Sequence, residues 1–368
     1  MDIMSERDAL IALAHCIEPG DAAAGRLLAR NGAVGLLRLI TDGHTGLRHG
    51  DGLTARLAGF DIRRAAERAD RCGARIITRH DREWPTQINA LGDQTPLALW
   101  AIGAADLRLL ALRSLAVVGA RACTAYGEDV ARSWSADLAS AQWCVLSGAA
   151  YGIDAAAHRG ALAADGTTVA VLAGGVDVPY PRAHTALIAR IADQGLVISE
   201  TPPGESVRRQ RFLSRNRIIA ALGRATLVIE AAVRSGTAST AHAAAAMNRP
   251  VLAVPGPVTS AASAGCHRMI SDGEAILVGD VTELLDLLDL GRGMAARDGD
   301  RTARDALGTR ERVVLDALPT RGTIGLDALV RSAGLAAGDV MAAVGVLGVQ
   351  GLVVEEAGGW RLAPRPRA

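Results

Sequence analysis

The chain contains no lysine, so all 40 of its cationic side chains are arginine. Every basic site is therefore a planar, permanently charged fork suited to phosphate and carboxylate. Aromatic residues make up only 3% of the 368 residues, and just two are phenylalanine, Phe60 and Phe212. The cysteines (Cys16, Cys72, Cys123, Cys144, Cys266) are odd in number and form no CxxC pair. That argues against a zinc site or a disulfide framework and for a reducing, cytoplasmic setting. No His, Asp or Glu spacing marks a metal, and no cofactor is expected. Apolar runs stop short of the ~18–20 residues of a membrane span, and no secretory leader is expected. Excess charge is also missing. The net value is +1, so nucleic-acid affinity would have to come from local clusters of cations.

What is present reads as a globular chain, 49% hydrophobic and 21% charged, long enough for two or three domains. Residues 1–80 carry apolar positions at helical spacing, as in DALIALAHCI and GRLLARNGAVGLLRLI, and predict a small all-α domain. The turn-rich DREWPTQINALGDQTPLALW follows and reads as a connection. From residue 114 short apolar runs (SLAVV, CVLS, TVAVL, LVIS, TLVI, VLAV) alternate with helical stretches. That pattern predicts an α/β fold with a doubly wound, mostly parallel sheet over 81–290, covered by helices on both faces. Residues 291–306 are polar and Gly-rich, a linker. Residues 307–368 predict three helices and a hairpin, a winged helix.

In a doubly wound sheet, ligands bind at the carboxyl ends of the strands. Those ends carry Gly119-Ala120-Arg121, Ser147-Gly148, Gly174-Gly175, Ser199-Glu200 and Ser235-Gly236-Thr237. Small residues there let backbone amides approach an anion, aided by the helix N-termini beyond. One such glycine is commonly a packing requirement; several in phase predict an anion-binding crevice. The first turn, GARACTAYG, lacks GxGxxG, which argues against a dinucleotide cofactor. Asp154 and His158, four residues apart, share a helix face, a spacing that more often serves structure or capping. No GxSxG elbow appears, and no nucleophile–base pair is evident, so no enzyme activity is expected.

The segment RRQRFLSRNR, residues 208–217, packs five arginines and no acid around Phe212. Either the ring tucks beneath a helix, or arginines grip phosphates while the ring stacks on a base, as in single-strand binders. Arg217, at the helix start, could instead pair with an acid such as Glu200 or Glu230.

The ordered run VGARACTAYG, LSGAAYGIDAAAHRGAL, TVAVLAGGVDVPYPRAH, ISETPPG, FLSRNRIIAALG, LVIEAAVRSGTASTAHAAAAMNRPVLAVPGPV and SAGCHRMISDG resembles the DNA-processing protein A family (DprA, also called Smf). The resemblance spans residues 85–280. It implies an extended Rossmann-like fold, a SAM-like N-terminal domain and a C-terminal winged helix. It also implies single-stranded DNA binding, loading of the RecA recombinase during natural transformation, and a homodimer. By the same resemblance, Arg121, Ser147, Gly148, Arg209, Phe212, Arg215 and Asn216 would line the DNA pocket, with Gly119, Gly174, Gly175, Glu200, Arg217 and Gly236 shaping it. The sequence departs from the family pattern at SGTAST and at CHRMISDGE, which touches the pocket's shape more than the fold. The alternative reading is a Rossmann-type nucleotide hydrolase acting on nucleoside monophosphates. Such enzymes typically show PGGxGTxxE, whereas RSGTASTAH here has no Glu after the Thr.

Overall fold

The computed structural model describes residues 5–47, 50–233, 235–289, 307–319, 322–356 and 358–363. The chain divides into two compact units, Met1–Arg292 and Gly293–Ala368.

The first unit opens with four helices, α1 (Glu6–Cys16), α2 (Ala22–Thr41), α3 (Gly50–Ala58) and α4 (Ile62–Arg71). Side-chain caps start three of them. Ser5 caps α1, Asp21 accepts from the Ala23 and Ala24 amides of α2, and Asp61 caps α4. Gly32 takes φ 70° inside α2 and breaks its ladder. The Glu6 carboxylate takes up the released amides of Ala33 and Val34 at 2.8 and 3.3 Å. Leu10, Leu13, Leu36, Ile40 and Leu53 close the apolar core among these helices.

A nine-stranded sheet follows, built from β1 (Arg75–Ile77), β2 (Leu99–Ile102), β3 (Ser114–Val118), β4 (Cys144–Ser147), β5 (Thr168–Leu172), β6 (Leu196–Ser199), β7 (Thr226–Val228), β8 (Val251–Ala253) and β9 (Ile276–Leu277). Its helices are α5 (Leu107–Leu112), α6 (Ala125–Ser140), α7 (Ile153–Ala163), α8 (Thr185–Gln194), α9 (Arg209–Leu222), α10 (Thr237–Ala246), α11 (Ala264–Ser271) and α12 (Val281–Leu288). The strand order is β1-β2-β6-β5-β4-β3-β7-β8-β9. From β6 to β9 all pairings are parallel. Leu115 and Val117 of β3 pack into one face's core, Ala116 and Val118 into the other's, as the two-residue period of a strand covered on both sides requires.

The doubly wound sheet is as the apolar runs predict, but the region read as a connection is not a linker. Leu99-Trp100-Ala101 enters the sheet as β2, fully buried and antiparallel to β6. β1, inside the stretch read as all-helical, pairs antiparallel with β2. Both strands add to the β6 edge.

The second unit contains α13 (Thr309–Ala317), α14 (Leu326–Ala333), α15 (Ala337–Val349) and an antiparallel pair, β10 (Val353–Glu356) and β11 (Gly359–Leu362). Val314, Leu329, Val340 and Leu347 form its core. The segment read as a linker, 291–306, lies outside the described residues. Among the described residues no single helix is long and apolar enough to cross a membrane.

Candidate nucleic-acid interface

The sheet winds outward from β3 in both directions, through β4 to β6 on one side and through β7 to β9 on the other. At the carboxyl ends of β3 and β7, where the winding reverses, helices on opposite faces leave a gap. A crevice of about 460 Å³ opens there, lined by Gly119, Arg121, Asp154, Arg215, Asn216 and Gly236 among others. Glycine is required at 119 because a β-carbon would meet Ile153 Cγ1 at 2.5 Å and the Glu230 carbonyl at 3.0 Å. The helix α10 begins at the crevice with Gly236 as its N-cap and no side chain capping its amides. Such an end favours an anion. Asn216 Nδ2 donates to Ser239 Oγ at 2.7 Å and to the Gly236 carbonyl at 3.4 Å, which fixes its amide in the wall.

The crevice floor holds two buried side chains of opposite charge, Arg215 and Asp154. Arg215 is 6% exposed and its Nη1 donates to the Val171 carbonyl at 2.6 Å. Its Nε has no partner among the described residues. Burial pushes the guanidinium down to about 10 against the opposing pull of Asp154. Burial likewise raises the Asp154 carboxyl, against Arg215. That carboxylate accepts from the Gly148 and Ala150 amides at 3.2 and 3.3 Å, so it holds the turn after β4. His158, four residues on, is fully buried, bonds Thr168 Oγ1 through Nδ1 at 2.8 Å, and is pushed by burial down to about 3. Asp154 and His158 thus serve separate hydrogen-bond networks.

At the mouth, the Arg121 guanidinium lies 5.1 Å above the centroid of Phe212, a cation–π contact. Phe212 is half-buried, and Tyr180 leans on it at 5.4 Å with a 58° tilt.

Comparison with known proteins places this arrangement. The pattern of DNA recombination-mediator protein A matches residues 75–289. A putative DNA processing protein DprA from Mycobacterium tuberculosis is 43% identical over 370 residues, covering 96% of this chain and 90% of its own. The chain belongs to the DNA recombination-mediator protein A family.

The DNA processing protein A of Streptococcus pneumoniae superposes with a TM-score of 0.66 at 31% identity, covering 78% of this chain and 98% of its own. One from Helicobacter pylori, described for its single-stranded DNA binding mode, gives 0.52 at 25% identity, covering 58% and 95%. The extended Rossmann-like fold expected from the motifs is therefore shared with solved members of the family, whose work is DNA processing and recombination.

The structure brings five of the expected pocket residues to the crevice: Gly119, Arg121, Arg215, Asn216 and Gly236. Others sit elsewhere. Ser147 is fully buried and its hydroxyl donates to the Val117 carbonyl at 2.7 Å, so it ties β4 to β3 and is closed to any ligand. Gly148 is buried beneath Arg215, where a β-carbon would collide with the guanidinium. Its small size serves Arg215 and not a nucleotide. Gly174 and Gly175 pack against the 202–207 segment, with Val207 Cγ1 and the Pro202 carbonyl 2.9 and 2.8 Å from the β-carbons they lack. Arg217 pairs with Glu200, and Arg209, at the first turn of α9, is exposed.

Of the two acids the sequence offered Arg217, the structure gives it Glu200, and further arginines of the segment are paired as well. Arg211 is 6% exposed and bonds Glu18 and Glu205, while Arg208 also reaches Glu18. Burial and ion pairing turn Arg211, Arg215 and Arg217 inward, whereas Arg209 and, at the mouth, Arg121 are exposed and have no ion pair among the described residues. The sequence gives no sign of Asp154 and Thr240 as crevice-lining residues, whereas Thr237, expected at a strand end, does line it.

Proposed function

We propose that this chain is a single-stranded DNA binder that seats the strand at the crevice between β3 and β7. The observation that carries the reading is the convergence of Arg121, Arg215, Asn216 and the uncapped α10 N-terminus at one switch point. Arg121 would meet a phosphate, since it is exposed and, among the described residues, its guanidinium has only the Phe212 ring as a close partner. Arg215 and Asp154 would keep the floor rigid. The single-stranded DNA binding mode described for the Helicobacter pylori relative supports the same reading.

The family likeness also supports a role as a homodimer that loads RecA onto the strand, with no catalysis by the chain itself. Asp154 and His158 support that last point, because each is committed to a different buried partner. In the second unit we read α13–α15 and the β10–β11 pair as a winged helix. Its α15 carries no arginine, which favours contact with protein over duplex phosphates. A titration of labelled oligo-dT and of a duplex of equal length by anisotropy tests the proposal. Tighter binding of the single strand, weakening steeply with salt, is expected; equal affinity for both would reject it.

A further inference from the structure

The ring singled out by the sequence has little surface left on which a base could stack. The Arg121 guanidinium covers one face of Phe212 at 5.1 Å, Tyr180 abuts it at 5.4 Å, and the side chain is half-buried. Two other rings at the same edge of the sheet are open. Tyr151, in the turn after β4, is 50% exposed, and Tyr180, in the turn after β5, is 44% exposed. The chain has only three tyrosines. The third, Tyr126, donates its hydroxyl to the Pro255 carbonyl at 2.6 Å. Among the described residues, the hydroxyls of Tyr151 and Tyr180 have no hydrogen-bond partner.

Each open ring rests on a fixed one. Tyr151 meets His184 at 4.8 Å and 65°, and His184 is buried with Nδ1 bonded to the Ala149 carbonyl at 2.9 Å. Tyr180 rests on Phe212. Edge and tilted contacts of this kind hold a ring in place while leaving a face free. A ring already ordered loses little conformational freedom when a base settles on it. β4 and β5 are neighbours in the sheet, and β4 adjoins β3, where the crevice lies. The exposed cation Arg182 follows Tyr180 by two residues.

We propose that Tyr151 and Tyr180 are the base-stacking platforms of this chain, carrying the strand from the crevice across the ends of β4 and β5. Phe212 is the buttress that positions Tyr180 and Arg121. The proposal rests on the single-strand reading above and adds where the bases go. Its ligand is the unpaired nucleobase itself, of any sequence, since every base offers a π-face.

The test compares two probes of equal length, oligo-dT and an abasic oligomer with the same backbone, against the parent protein, Tyr151→Ala, Tyr180→Ala and Tyr180→Phe. Each alanine variant is expected to weaken oligo-dT binding by on the order of ten-fold, the scale of one lost base stack. Abasic binding and the salt slope should stay as in the parent. Tyr180→Phe, which restores the ring, should recover the affinity lost in Tyr180→Ala. Parent-like oligo-dT binding by both alanine variants would overturn the proposal, as would equal losses on both probes. A parent protein that ignores both probes would instead reject the single-strand reading on which it rests.

Discussion

Arg217 and Glu200 form a bidentate pair, each Nη 2.8 Å from a different carboxylate oxygen, with side chains only 7% and 9% exposed. The guanidinium also donates to the carbonyls of Ser214 and Gln94 at 2.8 and 3.1 Å. The pair thus ties α9 to the end of β6 and to the segment before β2. Glu200→Ala leaves a buried cation without its counter-charge. A loss of about 3–5 kcal/mol in denaturant unfolding is expected; a loss under about 1 kcal/mol would show that the pair does not hold α9.

Glu18 reaches from the α1–α2 turn to Arg211 and Arg208 at 3.0 and 3.1 Å. The Arg211 hydrogen bond holds the Glu18 carboxyl below its ordinary value of 4.5. A depressed carboxylate contributes stability that is present above the unfolded value and lost as pH falls through the folded one. Glu18→Gln should therefore flatten the parent's loss of stability below about pH 4.5. The effect should stay under about 1 kcal/mol, because Glu18 is partly solvated. Superimposable curves for the two proteins would refute the tie.

His158 acts in a different window. Its folded value is pushed to about 3 against an ordinary 6.5, so the unfolded chain takes up a proton that the folded one refuses. Stability should fall as pH drops from 6.5 towards 3. The His158 ring should remain neutral across that range when followed by NMR. Protonation near pH 6 would contradict its burial.

Gly148→Ala would place a methyl group against the Arg215 guanidinium. Overpacking of this kind costs about 1–3 kcal/mol, and displacing Arg215 disturbs the crevice floor. Both a lower unfolding midpoint and weaker oligonucleotide binding are expected. A stable variant with parent affinity would show that Arg215 does not shape the site.

The central strands were legible because each is a short apolar run between turn formers, the pattern a doubly covered parallel strand must have. β1 and β2 were not. They are three and four residues long and lie beside stretches that read as helix or turn, with no helical crossover before each to mark a parallel strand. The crevice was legible from glycines and small residues falling in phase at strand ends. The direction of each arginine was less so, although the clue exists. Arg211, Arg215, Ile218 and Leu222 recur at three- and four-residue spacing, the buried face of α9. Arg209 lies off that face. The exposure of Tyr151 and Tyr180 is not legible in the sequence, because both sit in turns, which have no periodicity that would reveal an open ring.

The most direct test of the crevice as the strand's seat is the salt dependence of oligo-dT binding by the parent and by Arg121→Ala. If Arg121 meets a phosphate, the variant binds more weakly and its log–log salt slope is shallower by about 0.7, the share of one phosphate on a single strand. An unchanged affinity and an unchanged slope would place the strand somewhere else on the molecule.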